Sequence, residues 1–272
     1  MIIFPACKIN IGLQVIARRE DGFHEIATVF YPLPLSDVLE VVTSEEKNTT
    51  FHLSGDPVPG SQDDNLCLKA YRMLKNDFAA LPQVHIYLHK GIPIGAGLGG
   101  GSSDAAAMLK LLNAKYGLGL SPDRLANYAA RLGSDCAFFL QDRPCYATGR
   151  GEELYPFTQE DLGDYHFILV CPEVHISTAW AYGKVVAKHP VRSLLDLVRE
   201  PVVNWKGKVI NDFEKPVFDA YPELAKIRDT LYRQGALYAS LSGSGAALFG
   251  IFPKEGWRVD EEAFGMAKVF HF

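Results

Sequence analysis

The stretch PIGAGLGGGSSDAA (93–106) constrains this chain more than any other, because glycines crowd the junction between a strand-like run and a helix-like one. Counting Gly91, six glycines fall between positions 91 and 101. Each lacks a Cβ, so backbone N–H groups can turn inward and approach phosphate oxygens closely. The helix that follows adds the positive end of its dipole and its free N–H donors. Together they form an anion cradle, and a local cradle is what this chain needs. Its net charge is −5 and no Lys/Arg cluster offers a surface for a nucleic-acid backbone, so nucleic acid is not an expected partner.

Other readings compete at the same residues. Gly95, Gly97 and Gly100 match G-x-G-x-x-G, the dinucleotide fingerprint of an oxidoreductase. That reading needs a second strand about 20 residues on, ending in an acidic residue for the ribose. SPDRLANYAARLG (121–133) stands there and reads as a helix. A P-loop is excluded, because no Gly-Lys-Ser/Thr follows the glycines. A flexible turn is the plain alternative; six glycines at a strand-to-helix junction favour phosphate binding.

Around the loop the periodicity alternates between strand and helix. Cys7, Ile9, Ile11, Leu13 and Val15 alternate with Lys8, Asn10, Gly12 and Gln14, which predicts a half-buried strand with Lys8 and Asn10 on one face. Residues 17–22 end in Asp21-Gly22 and lead into FHEIATVFY, predicting a hairpin with Phe23 and His24 just past its tip. A helix is expected over about 65–77 and a strand at 84–90, ending on Lys90. The helix after the glycines should be capped by Ser102 or Ser103 and end at Gly117; another runs from Ser121-Pro122 to Gly133. After about 150 come a strand at 165–171, a helix from Thr178, a Pro-started helix at 222–234, the linker SGSG (242–245) and a strand-like AALFGIF. Mixed helices and strands without a regular βαβ repeat indicate the α+β class.

With 272 residues, 48% of them hydrophobic, the chain can bury one large core or two modest ones. Its five cysteines are scattered with no CxxC pair, which argues against a disulfide framework and a zinc site and points to a reducing compartment. The first residues lack the charge and apolar length of a signal peptide or membrane span, so no membrane partner and a cytoplasmic location are expected.

Pro93 through Ala106, with its Pro-x-Gly-x-Gly-Leu-Gly core, resembles the phosphate loop of the galactokinase, homoserine kinase, mevalonate kinase and phosphomevalonate kinase (GHMP) superfamily. PACKINIGL (5–13), DGFHEIATVF (21–30) and GSDCAFF (133–139), with DDNLCLKA (63–70), VHISTAWAY (174–182) and LSGSGAALFG (241–250), resemble in order one branch of it, the 4-diphosphocytidyl-2-C-methyl-D-erythritol kinase family. The resemblance implies transfer of the γ-phosphate of ATP to the 2-hydroxyl of the methylerythritol unit. It implies a two-lobed fold: a ribosomal-protein-S5-like N-terminal lobe over 1–150 and a ferredoxin-like C-terminal lobe over 151–272, with ATP and a small-molecule substrate in the cleft. A monomer or weak homodimer is expected.

Roles follow residue by residue. Asp135 alone reads equally as a base or as an N-cap; the resemblance makes it the catalytic base and Lys8 its partner, where a lone Lys on a strand is otherwise solvated. Asn10 is then a substrate ligand. Phe23, His24 and Tyr182 match the family's cytosine pocket, with Phe23 at a position most often filled by Tyr, so a phenol hydroxyl is missing. Thr178, like its neighbour Ser177, is a donor to substrate or a helix cap. Pro93, Ile94, Gly95, Ala96, Gly97, Leu98, Gly99, Gly100, Gly101, Ser102 and Ser103 form the ATP loop, and Asn65 and Lys90 match positions near the adenosine. The two serines could instead be caps. Mg2+ is required by phosphate electrostatics, and with no carboxylate cluster in the sequence it is expected to ride mainly on ATP. SGSG, a mere turn by itself, falls beside the phosphate loop on the resemblance. A sister kinase of mevalonate or homoserine type is the alternative, opposed by the DGFH segment; a non-catalytic binding protein should have lost Lys8 or Asp135.

Overall fold

The computed structural model describes residues 1–141, 143–158 and 162–272. In chain order the elements are β1 (Ile2–Ile3), β2 (Ala6–Arg18), β3 (His24–Ser36), β4 (Val38–Thr43), β5 (Thr50–Gly55), α1 (Leu66–Asp77), β6 (Val84–Lys90), α2 (Gly100–Tyr116) and α3 (Pro122–Leu132). They continue with β7 (Cys145–Thr148), β8 (Glu153–Pro156), β9 (Tyr165–Cys171), α4 (Thr178–Lys184), α5 (Leu194–Val198), α6 (Glu214–Ala220), α7 (Pro222–Arg233), β10 (Tyr238–Leu241), β11 (Leu248–Pro253) and β12 (Lys268–His271). The described strands form sheets ordered β1-β4-β6-β5, β2-β3-β7-β8 and β10-β11-β9-β12, and the fold is α+β as expected. Two compact units are distinguishable: Met1–Lys8, Pro32–Ile94 and Gly99–Asp142 make one, and Ile9–Tyr31, Gly95–Leu98 and Arg143–Phe272 the other.

In the first unit β4 and β6 pair antiparallel with Leu39 opposite Leu88 and Val41 opposite Ile86. These four are buried against Leu74 of α1 and Met108 and Leu112 of α2, while Val42 and Tyr87 on the alternate positions are exposed. Alternation with period two therefore decides which face α1 and α2 cover, and each buried aliphatic contributes about 1.5–3 kcal/mol. Asn65 starts α1 by accepting from the Cys67 N–H at 2.9 Å. Ser121 caps α3 with Pro122 at its first turn, and Gly117 closes α2 in the left-handed region, as their residue types predict.

The start of α2 departs from expectation. Its N-cap is Gly99, left-handed and with no side-chain cap bond, and Ser103 donates instead to the Ala6 carbonyl at 2.7 Å. A serine cap would leave a side chain over N–H groups that the glycines keep bare. In the second unit, Val217 of α6 and Leu224 and Leu231 of α7 are buried in one cluster with Ile168 and Val170 of β9 and Phe252 of β11. Strand β2 also differs from its pattern, since every residue from Cys7 to Leu13 is buried. Lys8 and Asn10 are thus buried polar groups rather than a solvated face.

Candidate active site

Burial makes Lys8 chemically significant, because a buried ammonium needs a partner. Asp135 supplies one: its carboxylate stands 3.6 Å from the Lys8 Nζ, with the lysine side chain 4% exposed and the aspartate 32%. Loss of water pulls the Lys8 pKa below its ordinary value, and the Asp135 charge opposes that shift. Asp135 lies in a 3₁₀ turn (Ser134–Leu140) directly after α3, whose start carries no side-chain cap bond, so the N-cap reading of Asp135 is set aside. Gly99 lets the lysine reach the loop. A Cβ there would stand 3.2 Å from Lys8 Cε and 2.8 Å from the Phe139 ring, on a backbone with φ of +72°.

Lys90 ends β6 with its ammonium buried between Asp37 and Asp104, at 2.6 Å from the latter. Asp37 also accepts from the backbone N–H groups of Gly91 (2.7 Å) and Ile92 (2.8 Å), fastening the strand-to-loop corner. The Nζ lies 3.4 Å from where a Gly100 Cβ would be, so this charge underlies the first turn of α2. Burial, augmented by Asp37 and opposed by Lys90, pushes the Asp104 carboxyl up to about 7. The structure thus gives the Lys90 side chain to two carboxylates and the Asn65 side chain to the α1 cap. Ser102 lies beside Gly133, 3.9 Å from the position of a Cβ there.

In the second unit the run Gly95–Leu98 is held by the C-terminal glycine linker. The Ser242 hydroxyl donates to the Gly97 carbonyl at 3.0 Å and accepts from the Asn10 N–H at 3.3 Å, and the Ala247 N–H donates to the Ala96 carbonyl at 3.0 Å. The approach is closest at Gly97, whose φ is +78°: a Cβ would fall 2.1 Å from the Ser242 carbonyl oxygen. Asn211, fully buried, donates to the carbonyls of Leu241 (2.9 Å) and Gly243 (2.8 Å) and fixes the linker from below. The Asn10 side chain donates to Thr28 at 2.9 Å, so it is held in place.

His24 stacks on Tyr182 with ring centroids 4.8 Å apart, and Phe213 meets Tyr182 edge-on. The Phe23 ring is 55% exposed and carries the Arg150 guanidinium at 4.9 Å over its face. Burial lowers the His24 pKa, helped by Arg18. Ser177, not Thr178, caps α4, and the Thr178 hydroxyl lies 3.2 Å from that of Ser244. Asp37, Asp104, Arg150 and Asn211 were not singled out in the sequence; Asp104 and Arg150 had local signals, the one inside the 93–106 stretch and the other at the start of RGEELYPF, which opens the chain's second half.

Among the described residues no group of three or more His, Cys, Asp or Glu side chains is placed to hold a metal ion, and no described helix is long and apolar enough to cross a membrane.

Two family descriptions match the chain: GHMP kinases N terminal domain over residues 65–143 and GHMP kinases C terminal over 192–257. The 4-diphosphocytidyl-2-C-methyl-D-erythritol kinase of Azobacteroides pseudotrichonymphae is 49% identical over 255 residues, covering 93% of this chain and 94% of that protein. The protein of the same name from Parabacteroides distasonis is 48% identical over 254 residues, covering 93% and 92%. The chain belongs to this family of GHMP kinases. A crystal structure of 4-(cytidine 5'-diphospho)-2C-methyl-D-erythritol kinase superposes with a TM-score of 0.80 at 32% identity, covering 100% of this chain and 98% of that one. A mevalonate kinase structure, with a TM-score of 0.73 at 15% identity and the same coverage, shares the fold. Membership makes this GHMP kinase an ATP-dependent enzyme acting on a small molecule, and the dinucleotide-binding oxidoreductase is ruled out.

Proposed function

We propose that this kinase transfers the γ-phosphate of ATP to the 2-hydroxyl of 4-(cytidine 5'-diphospho)-2-C-methyl-D-erythritol, giving the 2-phosphate and ADP, in the cytoplasm. The buried Lys8 beside the half-exposed Asp135 carries the reading, together with the identity to relatives of that name. Asp135 takes the proton of the 2-hydroxyl as its oxygen attacks the γ-phosphorus, and the ADP oxygen leaves on the opposite side. Lys8 orients that hydroxyl and offsets charge on the moving phosphoryl group, a service that positioning and electrostatics can render without covalent catalysis. A general base of this kind contributes about 10²–10⁴-fold.

Backbone N–H groups of Gly95–Gly101 and the start of α2 receive the ATP phosphates, and Pro93, Ile94, Ser102 and Ser103 shape the loop. Lys90 supports that loop from beneath, and Asn65 and Lys90 are assigned to the adenosine end. Phe23, His24 and Tyr182 take the cytosine, with Asn10 and Thr178 as donors to the rest of the substrate. Mg2+ would ride mainly on the ATP phosphates and neutralise their charge. Residues 1–150 make the N-terminal lobe and 151–272 the C-terminal one.

The test is ATP consumption with the cytidyl substrate, mevalonate, homoserine or no acceptor. Turnover with the first alone is expected; turnover with either of the others and none with the first overturns the reading.

A further inference from the structure

Residues 175–178 touch both glycine segments of the second unit. Ile176 is buried, with its Cδ1 3.1 Å from where a Gly245 Cβ would stand, and Thr178 meets Ser244. One residue earlier, His175 lays the Nδ1–Cε1 edge of its ring on Gly95. A Cβ at Gly95 would come 2.6 Å from Nδ1 and 2.9 Å from Cε1, so the glycine is what allows the ring to lie there. The side chain is exposed and makes no hydrogen bond, ion pair or ring contact with any described residue. An imidazole used only to cover Gly95 could be any flat ring; an imidazole with unused nitrogens on an anion-binding loop can also donate to an anion.

The cations beside Gly99 and Gly100 are already engaged: Lys8 with Asp135, and Lys90 with Asp37 and Asp104. In a chain of net charge −5, a donor on the loop itself gains importance for a ligand that is a polyanion. The chain from Ile176 to Thr178 is anchored, so the ring is carried by a fixed backbone and loses little freedom on binding.

We propose that His175 is a further phosphate-binding residue of this kinase, donating a ring N–H to a phosphate oxygen received at Gly95–Leu98. The inference rests on the kinase reading above. Two sources could present that oxygen, the triphosphate of ATP and the diphosphate of the cytidyl substrate, and the experiment separates them.

His175→Ala, His175→Phe and His175→Gln are compared with the unaltered enzyme for kcat and for the KM of each co-substrate. Calorimetric titrations with ATP and with CDP run in parallel. Loss of a hydrogen bond to a charged acceptor at an exposed site is expected to weaken one ligand about tenfold. The Ala and Phe variants should therefore raise the KM of one co-substrate about tenfold with kcat within about twofold, and Gln, which keeps an N–H donor, should recover part of it. A matching calorimetric loss for ATP identifies the triphosphate, and one for CDP the diphosphate. If Phe behaves as the unaltered enzyme, the ring merely covers Gly95 and the proposal is overturned. Unchanged KM values in both Ala and Phe, or a fall in kcat alone, overturn it as well. Absence of turnover in the unaltered enzyme would count against the kinase reading, while the titrations would still decide the role of His175.

Discussion

Gly97→Ala is the perturbation whose cost the structure defines most closely. The added methyl would stand 2.1 Å from the Ser242 carbonyl oxygen, at a φ of +78°. That oxygen cannot step aside, because it accepts from the Gly245 N–H at 2.9 Å while the Ser242 N–H donates to Ala247 at 2.9 Å. Asn211 holds the carbonyls on either side. The Gly95–Leu98 run must move instead, giving up the bonds from Ser242 to Gly97 and from Ala247 to Ala96. Two hydrogen bonds at about 1 kcal/mol each, with about 1–2 kcal/mol for a left-handed alanine, sum to roughly 3–4 kcal/mol. Charged to the nucleotide-competent loop, that is a loss of at least about 100-fold in ATP affinity, read by calorimetry. Gly119→Ala is the control: its φ is +66° with nothing within 4 Å, so it should cost about 1–2 kcal/mol in denaturant unfolding and leave ATP affinity unchanged. ATP binding by Gly97→Ala within a few-fold of the unaltered protein would refute the reasoning.

Asp135→Asn should lower kcat by about 10²–10⁴-fold while calorimetric ATP affinity stays within a few-fold, since the carboxylate is assigned to the acceptor hydroxyl. Phe23→Ala removes a stacking face worth about 1–3 kcal/mol per base, and should raise the KM of the cytidyl substrate without changing that of ATP. Phe23→Tyr should change either KM by less than about threefold, within the range of a single exposed hydrogen bond. Asp104 has its folded-state pKa raised to about 7 from 3.8, so its ionisation is opposed in the fold. Its contribution to stability is present below pH 4, is lost as pH rises from about 4 to 7, and is constant above. Asp104→Asn should flatten that part of the stability–pH curve in denaturant titrations of the ligand-free protein; an unaltered slope would contradict the assignment.

Local signals carried much of the fold. The Ser121-Pro122 start, the Gly117 and Gly133 stops and the alternation at 84–90 each arise within a few residues, and the structure places those elements accordingly. Strands β4 and β5 were not read, because EVVTSEEKNTT mixes polar residues into the run and their pairing with β6 is made across 30 or more residues. The same holds in the site. Lys8 and Asp135 could be named from their motifs, but that Lys8 is buried depends on packing that the alternation of β2 does not encode. That the Lys90 ammonium is held by carboxylates depends on Asp37, 53 positions upstream, being brought to it. Asn211 and Ser242 show the reverse limit, since nothing near Asn211 in the sequence indicates that it fixes a linker 30 residues away. Ser103, like Ser102, is a cap candidate by residue type, whereas its hydroxyl goes to Ala6 and the glycine start of α2 is left open.

The most direct test of the central claim is phosphorus NMR of the product formed from ATP and 4-(cytidine 5'-diphospho)-2-C-methyl-D-erythritol. The account predicts ADP together with a product that keeps its diphosphate signals and gains one phosphate-monoester resonance coupled to no other phosphorus, appearing about 10²–10⁴-fold more slowly with Asp135→Asn. Inorganic phosphate and unchanged cytidyl substrate, or a lengthened polyphosphate chain, would contradict it.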